Sequence, residues 1–193
     1  VRVMGMIYRI PMTAIIGDKG NGFYSYAYSV YTILLLLSSY SLPLAVSKMV
    51  SAKAQLGQWR NVKRVFICAI AFAIGIGTTF GLIVLIGAQF FTRVFFHSEL
   101  AAIALRFMAP TILIMALLGV FRGFFQGLQN TLPTAVSQIV EGLINAIMSV
   151  VFAYFLFDFG HGMDVASGTT DLGYAWGAAG GAIGTGAGAL AGL

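Results

Sequence analysis

Charge is scarce in this chain. Of 193 residues, 11 are lysine or arginine and 6 are aspartate or glutamate, a charged fraction of 9%, against about 25% in soluble domains. So few ionised groups cannot cover a water-exposed surface, and a soluble globular domain is excluded. Cysteine is scarcer still. The single Cys68 rules out a disulfide framework, and with only two histidines it leaves no cluster at metal-ligand spacing. Cys68 lies in an apolar run, where the expected role is that of a small buried hydrophobe. His97 and His161 fall in expected outer loops without partner ligands and receive no role. The GDKGNG stretch at 17–22 follows no strand, so it reads as a tight outer turn and not as a phosphate-cradling loop. With no nucleophile and base pair, metal cluster or nucleotide motif, the chain is not expected to be an enzyme.

What is present is apolar. The hydrophobic fraction is 59% and the mean hydropathy +0.92, and apolar runs of about 20 residues match the roughly 30 Å hydrocarbon core of a bilayer. Six such runs are found, at about 1–16, 23–50, 65–91, 100–121, 134–157 and 172–193. The expected fold is therefore all-α, a polytopic membrane bundle of six transmembrane helices. Pro43 and Pro110 fall inside runs and are expected to bend their helices without ending them, because neighbouring helices can satisfy the freed carbonyls.

Charge placement predicts the orientation. Arg2, Lys48, Lys53, Arg60, Lys63, Arg64 and Arg122 fall on one side, and Lys19 and Arg93 on the other with Asp18, Glu99, Asp158, Asp164 and Asp171. The first side is cytoplasmic by the positive-inside bias, and an even number of crossings places both ends there. The loop from Lys53 to Arg64, with Trp59, is expected to face anionic headgroups. Phe23, Tyr24, Tyr26, Tyr28 and Tyr31 read as an interfacial aromatic belt at the outer end of the second run. Since the chain opens on Val1 inside an apolar helix and stops at Leu193 without a polar end, it is expected to be the amino-terminal part of a larger transporter.

Two ionisable residues lie deep in these runs. A charge at the bilayer centre costs roughly 2.5–3.5 kcal/mol even on a lenient scale, so Arg9 and Glu141 should face a bundle interior or trapped water. Arg2 and Arg9 are seven residues apart and share a helical face, with Gly5 between them leaving that face bare. A guanidinium fork matches phosphate oxygens, which makes this face a candidate anion-binding wall; Arg2, near a helix end, can equally snorkel to headgroups. On the fifth run, Thr134, Ser137, Gln138, Glu141, Asn145 and Ser149 stack along one face. Hydroxyls alone would be interhelical glue worth about 0.6 kcal/mol each, whereas Glu141 and Asn145 point to a cavity lining. Arg9 and Glu141 differ in depth by only about 6 Å if both helices stand upright, so a salt bridge between them is open. Arg106 is shallower and reads as a snorkelling anchor. Gly180, Gly184, Gly188 and Gly192, with a second row of Gly173, Gly177 and Gly181, form small-residue faces suited to close helix packing.

Several segments also carry a likeness. YRIP at Tyr8–Pro11, the turn IIGDKGNGFY, LPLAVSKMVSAK from Leu42 and FRGFFQGLQNTLPTAVSQIVE from Phe121 resemble polysaccharide-biosynthesis flippases of the multidrug/oligosaccharidyl-lipid/polysaccharide exporter superfamily, in particular Firmicutes-type lipid II flippases and stage V sporulation protein B. The resemblance implies about 12 to 14 helices in two lobes around a cavity, this chain being the amino-terminal lobe of a fold like that of the multidrug exporters. It implies movement of undecaprenyl-pyrophosphate-linked saccharides to the outer leaflet, with cavity arginines of the first helix matched by Arg2 and Arg9. A second-helix cavity arginine of some relatives has no counterpart near Leu35.

The combined expectation is a flippase of the bacterial cytoplasmic membrane that works by alternating access on a polyprenyl-pyrophosphate-linked saccharide. Its cavity residues would be Arg9, Arg2, Glu141, Asn145 and Gln138. No cofactor is expected beyond an ion gradient or membrane potential, no nucleic acid is a partner, and the protein should be a monomer in the bilayer. Two rivals are a drug/cation antiporter of the same superfamily, which needs cavity acids, and a non-transporting scaffold of cell-envelope synthesis, which needs a dry, tightly packed polar face on the fifth span.

Overall fold

A computed structural model describes residues 2–39, 41–167 and 171–193, with the side chains of residues 2–8, 39, 166 and 167 outside that description. Six helices follow one another: α1 (Arg2–Ser39), α2 (Leu42–Gln55), α3 (Trp59–Phe96), α4 (Ala101–Gly127), α5 (Leu132–Ser167) and α6 (Leu172–Gly192). Among the described residues there is no strand, and the chain is a polytopic helical bundle.

The α1 helix is in fact a hairpin. Gly17 leaves helical geometry with φ 63° and ψ −176°, a conformation that only a residue without Cβ adopts cheaply. Arg9 Nη2 lies 3.4 Å from Ser25 Oγ, whereas sixteen residues of unbroken helix would hold their Cα atoms about 24 Å apart. The two arms, 2–16 and 18–39, therefore fold against each other at Gly17. The turn is tighter than the loop expected from Ile16 to Phe23, since residues 18–22 are already helical.

Contacts between helix ends fix the alternation of the remaining rods. At the end marked by Gly17, Lys19 pairs with Asp171 at 3.0 Å and Tyr26 stacks on Phe96 with ring centroids 4.7 Å apart. At the opposite end, α2 reaches the close of α4, where a Cβ on Gly127 would lie 2.8 Å from the Ser47 carbonyl, and Ser137 donates to the carbonyl of Gly192. Both arms of α1, then α3, α4, α5 and α6 thus run antiparallel in sequence, with α2 continuing the second arm. By length and composition, Arg9–Gln55, Trp59–Phe96, Ala101–Gly127 and Leu132–Val165 can cross a membrane.

The packing has small residues inside and large ones outside. Ala101, Ala104, Ala109, Ala116, Ala178 and Ala182 are buried, while Phe72, Leu82, Ile86, Phe90, Leu143 and Phe155 face outward. Lipid tails are as apolar as leucine, so association rests on close packing and not on water exclusion, and small residues allow the backbones to approach. The two cores share α4: one sets Leu105, Met108 and Ile112 against Met12, Ile16 and Tyr31, and the other sets Ala116 and Val120 against Val46, Val50 and Ala73.

Glycine makes α6 the tightest element. A Cβ on Gly188 would lie 2.6 Å from Asn145 Cβ and 2.7 Å from the Glu141 carbonyl, and Gly180 and Gly184 meet the α5 backbone closer still. The other row turns to α1, where a Cβ on Gly177 would stand 2.6 Å from Ile16 Cγ2 and one on Gly181 3.1 Å from Tyr24. One helix is thereby clasped by α5 on one side and the α1 hairpin on the other.

Several expectations are corrected. Pro43 sits in the first turn of α2 and starts a helix instead of bending one; there its missing N–H has no intrahelical partner to lose. Pro110 ends nothing, as expected, since α4 runs through it. Cys68 is exposed on α3 and not buried. Tyr24 and Tyr31 are buried while Tyr26 and Tyr28 face outward, so the aromatic group is only partly a belt. Asp158, His161 and Asp164 lie on α5, which outruns its apolar stretch, and Asp164 accepts the Leu172 and Gly173 amides at 3.0 and 2.8 Å, capping α6.

Candidate functional site

The most connected polar group joins α4, α5 and α6. Ser137 and Glu141 are one turn apart and share a face of α5. Arg122, five residues before the end of α4, reaches across to both: Nε and Nη2 donate to Ser137 Oγ at 3.2 and 2.9 Å, and Nη2 donates to Glu141 Oε2 at 2.5 Å. Ser137 passes its own hydrogen to the Gly192 carbonyl at 2.5 Å. The Arg122 and Glu141 side chains are only 14% and 24% exposed. In so shielded a setting an ion pair is costly to form, and costlier to halve.

Local sequence makes the meeting possible. Gly123 brings α4 against the start of α2, where a Cβ would lie 2.5 Å from the Pro43 carbonyl. Arg122 and Glu141 stand at unequal distances from the α4–α5 turn by about four residues, or about 6 Å along the helices, which an arginine side chain spans. Beside the pair lies a cavity of about 250 Å³ lined by Leu35, Pro43, Met115, Leu118, Gly119, Arg122, Gln126 and Gln138. Its polar groups are Arg122, Gln126 and Gln138, and the rest of its wall is apolar.

The α5 stripe divides between packing and cavity. Asn145 accepts from Ser149 at 2.8 Å, and Ser149, fully buried, also faces the Gly181 carbonyl at 3.3 Å. Those two residues lie under α6. Gln138 is exposed and lines the cavity, and Glu141 sits between the two regions.

Arg9 occupies a different surface. It is exposed on the first arm of α1, 3.4 Å from Ser25, and shares this hairpin surface with the exposed Tyr28, Ser29 and Thr32 of the second arm. Ser29 and Thr32 donate back to the carbonyls of Ser25 and Tyr28, which leaves their oxygen lone pairs free. Arg9 and Glu141 are not brought together, because Arg122 holds the Glu141 carboxylate. The Arg2 side chain lies outside the described residues.

With this geometry in hand, a sequence profile described as polysaccharide biosynthesis protein matches residues 1–191. The chain belongs to the polysaccharide biosynthesis protein family. It is 27% identical over 191 residues to the lipid II flippase MurJ of Bacillus subtilis (strain 168), an alignment covering 94% of this chain and 35% of that relative. Stage V sporulation protein B of the same organism is 26% identical over 156 residues, covering 80% of this chain and 30% of the relative. An uncharacterized membrane protein, YabM, also from that organism, is 26% identical over 155 residues, covering 80% and 28%. The chain thus spans about a third of the length of these curated relatives. No solved structure matches.

Within this member of the polysaccharide biosynthesis protein family, Arg122 is the residue that sequence reasoning missed. The apolar run ends at Phe121, so sequence counts Arg122 only among the cytoplasmic-side charges, yet α4 continues to Gly127. The usable signal was the continuation itself. Gly123, Phe124 and Gly127 keep the helical face of Gly119 and Val120, and all but the partly buried Phe124 are buried. Among the described residues no group of three or more histidine, cysteine or acidic side chains is placed to hold a metal.

Proposed function

We propose that this chain forms a six-helix lobe of a flippase that carries a polyprenyl-pyrophosphate-linked saccharide from the inner to the outer leaflet by alternating access. The observation that carries this reading is Arg9, exposed on a hydroxyl-lined face of a bundle that turns many large apolar residues outward. One long hydrogen bond to Ser25 does not offset the cost of a guanidinium in hydrocarbon, so that face suits a water-filled cavity or a second lobe. An arginine fork there would receive pyrophosphate oxygens while the polyprenyl tail stays in lipid. Membership of the polysaccharide biosynthesis family and likeness to a lipid II flippase support the substrate class.

In this reading the chain binds and moves its substrate without chemical conversion, driven by an ion gradient or the membrane potential. It lies in the bacterial cytoplasmic membrane with its basic turns on the cytoplasmic side, and acts as a monomer. A drug/cation antiporter is disfavoured because Glu141, the acid deepest in α5, is already paired with Arg122. A scaffold is disfavoured because Gln138 and Arg122 border a cavity and not a dry contact.

The test is headgroup exposure at the outer leaflet in cells depleted of other lipid II flippases and expressing the intact gene product. Arg9→Ala should abolish exposure at normal protein abundance, and Arg9→Lys should restore it in part, because a point charge lacks the bidentate fork. Normal translocation by Arg9→Ala would overturn the role given to this face.

A further inference from the structure

The cavity beside α4 has a feature that packing does not explain. Arg122 uses Nε and Nη2 on Ser137 and Glu141, and Nη1 makes no hydrogen bond among the described residues although Arg122 lines the cavity. One edge of the guanidinium is engaged, and the other retains its donors. Gln126 and Gln138 add carboxamide donors to the same wall. Leu35, Met115 and Leu118 complete the lining, the last two on the same face of α4 as Arg122.

From this we infer that Arg122 is a second anion-binding residue, which exchanges Glu141 for a phosphate of a lipid-borne headgroup entering this cavity. The inference rests on the flippase reading above and adds a site to it. The chemistry is one of competing acceptors. A carboxylate and a phosphate oxygen both suit a guanidinium, and phosphate offers more charge and more acceptor oxygens. At about 250 Å³ the space falls below the roughly 300–1,000 Å³ of drug-sized sites. It therefore suits a phosphate group and the first carbons of a chain. The apolar wall favours a phosphate carried on a lipid over a free one.

The exchange also has a structural consequence. When Glu141 is released, Ser137, one turn away on the same face, can turn its hydroxyl from the Gly192 carbonyl to that carboxylate. Ligand arrival would then loosen the tie between α5 and the end of α6. The site is neutral when empty, since the arginine and the glutamate cancel, so release of Glu141 exposes a positive charge only where a phosphate can meet it.

Purified intact protein in detergent allows a direct test by calorimetric titration with farnesyl pyrophosphate and with inorganic pyrophosphate. The wild type should bind farnesyl pyrophosphate more tightly than pyrophosphate. Glu141→Gln should tighten binding about tenfold by removing the competing carboxylate, and Arg122→Gln should weaken it about tenfold or more, as loss of a charge-assisted hydrogen bond predicts. The double variant Arg122→Gln/Glu141→Gln leaves no charge unpaired. It should melt near the wild-type temperature yet bind as weakly as Arg122→Gln, which separates binding from folding. Undiminished binding by the double variant, or no tightening by Glu141→Gln, would overturn the proposal. Equal affinity for the two probes would overturn the lipid-borne source. Because the readout is equilibrium binding, its failure leaves translocation with Arg9→Ala to decide the flippase reading.

Discussion

Arg122 and Glu141 are nineteen residues apart in the chain and share a hydrogen bond across the turn that joins α4 to α5. Their side chains are largely shielded, so the pair contributes through what its removal would strand. Replacing Arg122 or Glu141 alone by alanine should destabilise the bundle by about 3 kcal/mol, because the remaining charge keeps its desolvation cost and loses its partner. Replacing both should cost less than either single change. Unfolding in mixed micelles across the four proteins gives the coupling energy, and additive losses would show that the pair does not act as a unit.

The glycine row of α6 sets the spacing from α5. Gly188→Ala should destabilise by about 1–3 kcal/mol through overpacking, because its Cβ would meet the Glu141 carbonyl at 2.7 Å and backbone cannot rotate away. Gly162, on α5, has nothing within 4 Å of such a Cβ. Gly162→Ala should therefore be neutral or slightly stabilising through helix propensity. Matching melting temperatures for the two variants would contradict the close contact.

The contrast between these glycines shows how much the sequence reveals. Small residues spaced by four announce a packing face, and the order of apolar runs announces an all-helical membrane bundle. The exposure of Cys68 was not legible from hydropathy, because its neighbours are all apolar; the inner face of α3 is marked instead by the small residues Ala69, Ala73, Gly77 and Ala88, a row that Cys68 does not join. The partner of Glu141 was not legible either. Depth alone matched it to Arg9, while the choice of Arg122 depended on α4 running six residues beyond its apolar stretch. Charged and glycine-rich final turns lower hydropathy without ending a helix.

Orientation can be checked at two turns. Gln58, between α2 and α3, is flanked by Lys53, Arg60, Lys63 and Arg64, whereas Ser98, between α3 and α4, adjoins the exposed Arg93–Glu99 pair. The positive-inside bias predicts that Gln58 is cytoplasmic and Ser98 external. After replacement of the exposed Cys68 by alanine, single cysteines at the two turns should differ in intact cells. An impermeant thiol reagent should label position 98 and spare position 58. The reverse pattern would invert the assigned topology.

The α1 hairpin supplies the sharpest conformational prediction. Gly17 combines φ 63° with ψ −176°, which is not the left-handed helical well but a region essentially reserved for glycine. His97, by contrast, has φ 52° and ψ 31° and sits in the ordinary left-handed well as a helix cap. Asparagine commonly occupies that well, so in a left-handed cap it would stand in for glycine. At Gly17 it should not. Both Gly17→Ala and Gly17→Asn should destabilise the fold by about 1–3 kcal/mol, the cost of holding a side-chain-bearing residue in a sparse backbone region. Crowding contributes little, since the nearest atom to an added Cβ is Tyr174 Cε1 at 3.6 Å. The expected order of thermal stability is glycine well above alanine and asparagine, with the last two alike. Wild-type stability for Gly17→Asn would mean that the arms join through a left-handed turn, and the way Arg9 meets Ser25 would then need a different backbone path.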